Sequence, residues 1–243
     1  MEVAGGIYRL THGIANFYLI EEEGKLLLVD AGTPKDWEIF TSAVAGLGRR
    51  LDDLDAILLT HAHADHTGFA EQARTASHAP VWIHEDDERA VVTGEAGAPD
   101  GHIRTHLFKP QLYRTMMSLA RQGAAKIIPV EEVSTFEDGE VLDLPGKPRV
   151  VHAPGHTEGS SALLLEGRRA LFAGDAMATW NPLTGRSGPQ IMPAAMNHDS
   201  ERAMQSLRAL EKIDADVVLP GHGEPWTGGL AEAVQLARDA GPT

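Results

Sequence analysis

Short apolar runs alternate with glycine-bearing polar stretches along most of this chain. "IYRL" (7–10), "ANFYLIE" (15–21) and "LLLVD" (26–30) read as opening strands, and "EEEGK" turns the second into the third as a hairpin. "GTPKDWEIFTSAVAGLG" carries a helix pattern, with Thr33 as N-cap, Pro34 at the first helical position and Asp36 in the first turn. Trp37, Phe40, Val44 and Leu47 share one face of it, and Gly48 ends it. "DAILLT" (55–60) is apolar without alternation, the pattern of a strand covered on both faces. A helix holding Phe69, Ala73 and Ala76 follows, then the strand "PVWIH" (80–84).

Residues 94–126 break the rhythm. "GEAGAPDGHIRTHLFKP" has no periodicity, and a helix follows with Leu112, Met116 and Leu119 along one side and Gly123 as its stop. A stretch of that length between regular elements reads as an inserted lid. Strands return at "KPRVVHAPG" (147–155), "SALLLE" (161–166), "RRALFAG" (168–174) and "DVVLPG" (216–221). Between the last two lie a polar, proline-bearing loop (179–198) and a helix at about 200–212 with Ala203, Leu207 and Leu210 on one face. A final helix covers about 229–239. No linker divides the chain, so residues 1–243 are expected to form one α/β domain of layered sheets.

Charge narrows the partners. Lys plus Arg is 21 against 35 for Asp plus Glu, a formal net charge of −14, and no basic tract is present. Nucleic acid is not an expected partner, because its binding draws on clustered Lys and Arg. There is no cysteine, which removes disulfides, thiolate metal sites and a cysteine nucleophile together. No basic and apolar leader is visible at the N-terminus, and no run approaches the roughly 20 apolar residues needed to cross a bilayer. The expectation is a cytoplasmic protein acting on a small-molecule substrate, away from membranes, with self-association as a homo-oligomer left open.

The chemistry concentrates in "LLTHAHADHTG" (58–68), where three histidines and an aspartate follow an apolar strand. His61 and His63 are two apart and point the same way in an extended segment. Asp65 and His66 come after the strand, where a turn can fold them back. Imidazole and carboxylate are good zinc ligands when a rigid element fixes them. Other strand ends offer partners: His156 in "VVHAPGHTEGS", Asp175 in "ALFAGDAM" and His222 in "VVLPGHGEP", each beside a glycine. Asp30 ends "LLLVD", where it either caps the Thr33 turn or orients a ligand histidine. His12, His78, His84, His102, His106, His152 and His198 read as surface or capping residues.

In that order, "LLLVDAG", "THAHADH", "APGHTEGS", "FAGDAM" and "LPGHGEP" resemble the motif set of the metallo-β-lactamase superfamily over nearly the whole chain. The resemblance implies an αββα sandwich with a metal centre at one edge of two packed sheets. It implies that His61, His63 and His156 hold one ion, that Asp65, His66 and His222 hold a second, and that Asp175 bridges them. A bridging aspartate there looks more like the glyoxalase II and lactonase branch than like true β-lactamases. Two departures stand: only about twenty residues follow His222, short of the glutathione-gripping helices of glyoxalase II, and Trp180 follows Asp175 where acyl-homoserine lactonases place a tyrosine.

Two zinc ions, or iron or manganese in their place, can share a hydroxide nucleophile that attacks a carbonyl at neutral pH. The expected activity is therefore hydrolysis of a small ester, thioester or lactone, with Asp65 as the catalytic carboxylate orienting the hydroxide. A mononuclear iron persulfide dioxygenase and a metal-dependent phosphodiesterase are the alternatives. Tyr113, Met116 and Trp180 are candidate apolar walls of the substrate pocket.

Overall fold

The computed structural model describes residues 1–242 apart from 96 and 102. Its first sheet has seven strands in sequence order: β1 (Glu2–Ala4), β2 (Ile7–Thr11), β3 (Asn16–Glu22), β4 (Lys25–Val29), β5 (Leu54–Leu58), β6 (Val81–His84) and β7 (Ser134–Phe136). The β3–β4 hairpin closes on the Glu22–Lys25 pair, and pairing turns parallel from β4 onward. The parallel steps need crossovers. Helices α1 (Trp37–Gly46) and α2 (Ala70–Ser77) supply the first two, and α3 (Glu85–Thr93) and α4 (Pro110–Gln122) lie within the third. The second sheet holds β8 (Arg149–His152), β9 (Ser161–Leu165), β10 (Ala170–Gly174) and β13 (Val217–Pro220) in the order β13-β10-β9-β8. Between β10 and β13 come the ribbon β11 (Ala178–Trp180) with β12 (Ser187–Gln190) and helix α5 (Ser200–Leu210), and α6 (Leu230–Ala240) follows β13.

Strand alternation sorts the core into layers. On β3, Phe17 and Leu19 face α1 and α2, while Tyr18 and Ile20 face the other sheet. On β9 and β10, Leu163, Leu165 and Phe172 meet that central layer, while Leu164, Leu171 and Ala173 pack under α5 and α6. Both sheets are thus covered on both faces, which is why their strands read as unbroken aliphatic runs. This is the αββα sandwich. Among the described residues no helix is long and apolar enough to cross a membrane.

The structure corrects several local expectations. Thr33 is the N-cap as expected, but of a short 3-10 turn (Pro34–Asp36) that precedes α1, and its N–H and Oγ1–H both donate to Asp36 Oδ2. Helix α3 has no counterpart in the sequence reading: only Asp87 and Val91 of it are buried, so it shows little apolar periodicity. Its start is held by four acidic residues at the positive end of the helix dipole. The 179–198 segment is not all loop, since it carries β11 and β12. On α4 the inward face is Leu112, Thr115 and Gln122, while Met116 is half exposed. Polar residues win that face because Thr115 Oγ1 donates to Pro182 O at 2.6 Å and Gln122 Nε2 to His12 O at 3.4 Å.

Candidate metal centre

β4, β5, β10 and β13 all end at one edge of the sandwich, and their C-terminal ends deliver Asp30, His61, Asp175 and His222. His63, Asp65 and His66 follow His61 in a turn, and His156 arrives on the loop after β8. Three overlapping groups form there: His61, His63 and His156; His61, His66 and Asp175; and Asp65, His66 and His222. Within each group the ligand atoms lie within 4.8 Å of one another. Asp175 sits among them, with Oδ2 3.1 Å from His222 Nε2, 3.3 Å from His156 Nε2 and 3.9 Å from His61 Nε2. Its Oδ1 is 3.7 Å from His66 Nε2.

The outer nitrogens decide which atoms point inward. His66 Nδ1–H donates to Asp30 Oδ2 at 2.9 Å and His222 Nδ1–H to the Ile14 carbonyl at 2.9 Å. His156 Nδ1–H donates to Asn197 Oδ1 at 3.1 Å, and the Asn197 amide is itself oriented by donating to Met192 O. Thr60 gives its backbone and hydroxyl protons to Asp30, so its oxygen is left to accept from His61 Nδ1 at 3.0 Å. In each of these four rings Nδ1 is engaged outside and Nε2 is turned toward the centre, the orientation a metal needs. His63 turns Nδ1 inward instead, 2.8 Å from His156 Nε2.

The donor set fits transition-metal ions on the structure's own terms. His61 Nε2 and both oxygens of Asp175 are buried without a hydrogen-bond partner among the described residues. Orphaned buried polar atoms cost roughly 1–3 kcal/mol each, more when charged, unless a cation completes them. Nitrogen and oxygen donors without sulfur suit zinc, iron and manganese. Burial, with His66 close by, drives the His61 pKa well below its usual value; burial with His63 nearby lowers His156 to about 3. Both rings thus stay neutral with free lone pairs. Burial also opposes a charged His66, but Asp175, Asp30 and Asp65 outweigh it and lift its pKa to about 10. Protons there balance the carboxylates in the place a metal cation would.

Two buried carboxylates set the frame. Asp30, in a left-handed backbone conformation (φ 59°), serves both His66 and the Thr60–His61 relay. Asp87 accepts from Ala62 N at 2.9 Å, Thr157 Oγ1 at 2.7 Å and Gly159 N at 2.9 Å, pinning the two loops that carry His61, His63 and His156. Sequence reasoning missed Asp87, Asn197 and Thr60. Of these only Thr60, adjacent to the first motif, carried a positional signal. The substitution Asp30→Asn would place an amide nitrogen where donors from Thr60 and His66 now meet only acceptor oxygens. Metal affinity is expected to fall about 10–100-fold, the range for residues that orient ligands, as read by competition with a chromogenic chelator; unchanged affinity would leave Asp30 a turn residue only.

A cavity of about 290 Å³ adjoins the centre and includes His63 and Asp65 in its wall, with Leu119, Lys126, Met196 and His198. Tyr113 and Met116 are not in that wall; both are half exposed, and Tyr113 Oη–H donates to Leu107 O. Trp180 lines a separate cavity of about 410 Å³ with Ile14 and Gly223. Among the other histidines, His12 is exposed, His78 ends α2 in a left-handed conformation, and His102 lies outside the described residues. His84 is buried, accepts from Asp86 N at the start of α3, and stacks on His152 at 4.0 Å and 12°. With Asp86 they make a fourth close group, but the in-plane lone pairs of parallel rings run side by side and do not meet on one ion.

Comparison with known proteins gives the family of the chain. The Bacillus subtilis (strain 168) protein named "Probable metallo-hydrolase YflN" is 31% identical over 93% of this chain and 87% of its own length. A hydroxyacylglutathione hydrolase of Francisella tularensis subsp. novicida is 25% identical over 95% of this chain and 71% of its own. The crystal structure of a metallo-beta-lactamase family protein from Thermus thermophilus superposes with a TM-score of 0.69 at 25% identity, covering 95% of this chain and 77% of that one. The family model for the metallo-beta-lactamase superfamily matches residues 10–222, a span that holds every strand-end ligand candidate, and the chain belongs to that superfamily.

Proposed function

We propose that this protein is a dinuclear metal-dependent hydrolase, with zinc as its metal, that cleaves a small ester, thioester or lactone. The observation that carries the reading is the gathering of five imidazoles around buried Asp175, whose two oxygens have no hydrogen-bond partner among the described residues, with Asp65 beside them. His61, His63 and His156 would hold one ion, Asp65, His66 and His222 the other, and Asp175 both. Ions bound there would polarise a carbonyl and make a water-derived nucleophile available at neutral pH.

The rest falls to the chain's own groups. Asp65 is the one carboxylate of the centre that also forms part of the cavity wall, so it is placed to orient the attacking water and hold its proton. Asp30 and Asn197 keep the ligand tautomers fixed through turnover. Residues 94–126 act as the lid of a single unit spanning 1–243: Asp100 N donates to Asn197 O, Gly101 N to Ala194 O, and Leu119 and Lys126 join the cavity wall. The low-identity hydroxyacylglutathione hydrolase supports the thioester member of the substrate class.

The test is elemental analysis of purified protein together with a panel of thioesters, lactones and phosphodiesters. Two ions per chain and carbonyl hydrolysis without an initial burst are expected, since no covalent intermediate forms. A chelator should stop turnover and lower the thermal midpoint, because an ion held at about 1,000 times its Kd contributes about 4 kcal/mol per site. A single iron that zinc cannot join, or phosphodiester cleavage alone, would overturn the reading.

A further inference from the structure

The cavity beside the centre is small, about 290 Å³. Its walls away from the ligands are mostly aliphatic, with Leu119, Ile127 and Met196 prominent. Two polar groups interrupt them. Lys126 has neither an ion pair nor a hydrogen bond among the described residues, in a chain whose net charge is −14. His198 Nε2 is buried and likewise has no hydrogen-bond partner among the described residues. The His198 ring lies so close to Gly97 that a Cβ there would stand 2.6 Å from Nε2, and its backbone N–H is tied to His156 O at 3.1 Å. Lys126 and His198, on two separate segments, therefore line the space a substrate would fill next to His63 and Asp65.

We propose that this cavity selects a short aliphatic carbonyl substrate bearing a free carboxylate, which Lys126 binds beside the His198 ring while the carbonyl lies at the His63–Asp65 side. The proposal rests on the hydrolase reading for the reaction but not for the binding. The walls accept a short methylene chain, and Lys126 supplies a positive charge whose N–H groups a carboxylate can accept from. A lysine at this place also offsets the repulsion that a strongly acidic protein exerts on an anion.

The test uses the metal-loaded full chain and two matched thioesters: the S-methyl monothioester of succinic acid, whose other carboxyl is free, and its neutral O-methyl ester. Released thiol is read directly, because the protein has no cysteine to interfere. Wild type is expected to favour the anionic member about tenfold in kcat/KM, through KM, the worth of one charge-assisted hydrogen bond. Lys126→Ala should remove that preference, Lys126→Glu reverse it and Lys126→Arg keep it, while Lys212→Ala, just beyond the C-terminal end of α5, serves as control. Calorimetric titration with 4-oxopentanoate and the neutral hexane-2,5-dione, which carry no hydrolysable bond, reads the same preference without turnover. If neither thioester is cleaved but 4-oxopentanoate binds more tightly and Lys126→Ala abolishes the difference, the hydrolase reading fails and the carboxylate site stands. If wild type shows no preference, or Lys126→Ala retains it, the carboxylate site is overturned whatever the turnover.

Discussion

Asp175→Ala is expected to strip both ions from the protein and to reduce turnover by more than about 100-fold, the upper range seen when only a ligand-orienting residue is lost. Asp175 is 3% exposed, and its two oxygens have no hydrogen-bond partner among the described residues. His222 and His66 press on the same carboxylate, which they hold well below the ordinary carboxylate range against the opposing effect of burial. Removing it takes away the carboxylate that the imidazoles surround, so neither half of the centre keeps its affinity. Elemental analysis after gel filtration, run beside the kinetics, separates this from a local effect on one ion. His12→Ala is the contrast: its ring is exposed, and activity should stay within a few fold. Full metal content in Asp175→Ala would show that the aspartate does not join the two sites.

The ligand candidates were legible because each sits at or just beyond the end of an aliphatic strand, three of them (His156, Asp175 and His222) beside a glycine, and parallel strands deliver their ends to one edge. The layers were legible for a related reason. Runs such as Leu26–Val29 and Ser161–Leu165 are buried on both faces, so they carry no alternation and announce a sheet covered twice. The orienting residues were not legible. Asn197 meets His156 across 41 positions and Asp87 meets Thr157 across 70, and neither has a spacing that the chain repeats. Helix α4 misleads because hydrophobicity sets the expected face at Leu112 and Met116, whereas hydrogen bonds to Pro182 and His12 turn Thr115 and Gln122 inward. His198 reads as a surface residue in the sequence. It lies in the cavity wall because its backbone is held by His156, a contact invisible along the chain.

Gly221→Ala is expected to disable the centre while leaving the sandwich folded. Gly221 has an ordinary negative-φ backbone, so alanine meets no conformational barrier there and the effect is purely steric. An added Cβ would overlap Asp175 Oδ1 and lie 2.7 Å from His66 Cε1, closer than real Cβ atoms approach. The backbone cannot retreat, since Gly221 N–H donates to Gly174 O at 2.8 Å and its carbonyl accepts from Asn16 N at 2.7 Å. Asp175 and His66 must move instead, and of these Asp175 would serve both ions and His66 one of them. Overpacking of this kind costs about 1–3 kcal/mol, enough to lower the thermal midpoint without unfolding the chain at room temperature. Circular dichroism should therefore remain that of the wild type while both ions and turnover are lost together. Gly228→Ala, where the nearest atoms to an added Cβ belong to the Glu232 and Trp226 side chains, is the matched steric control and should keep its metal. Retention of both ions by Gly221→Ala would mean that the Asp175 carboxylate has freedom to move that its buried position does not show.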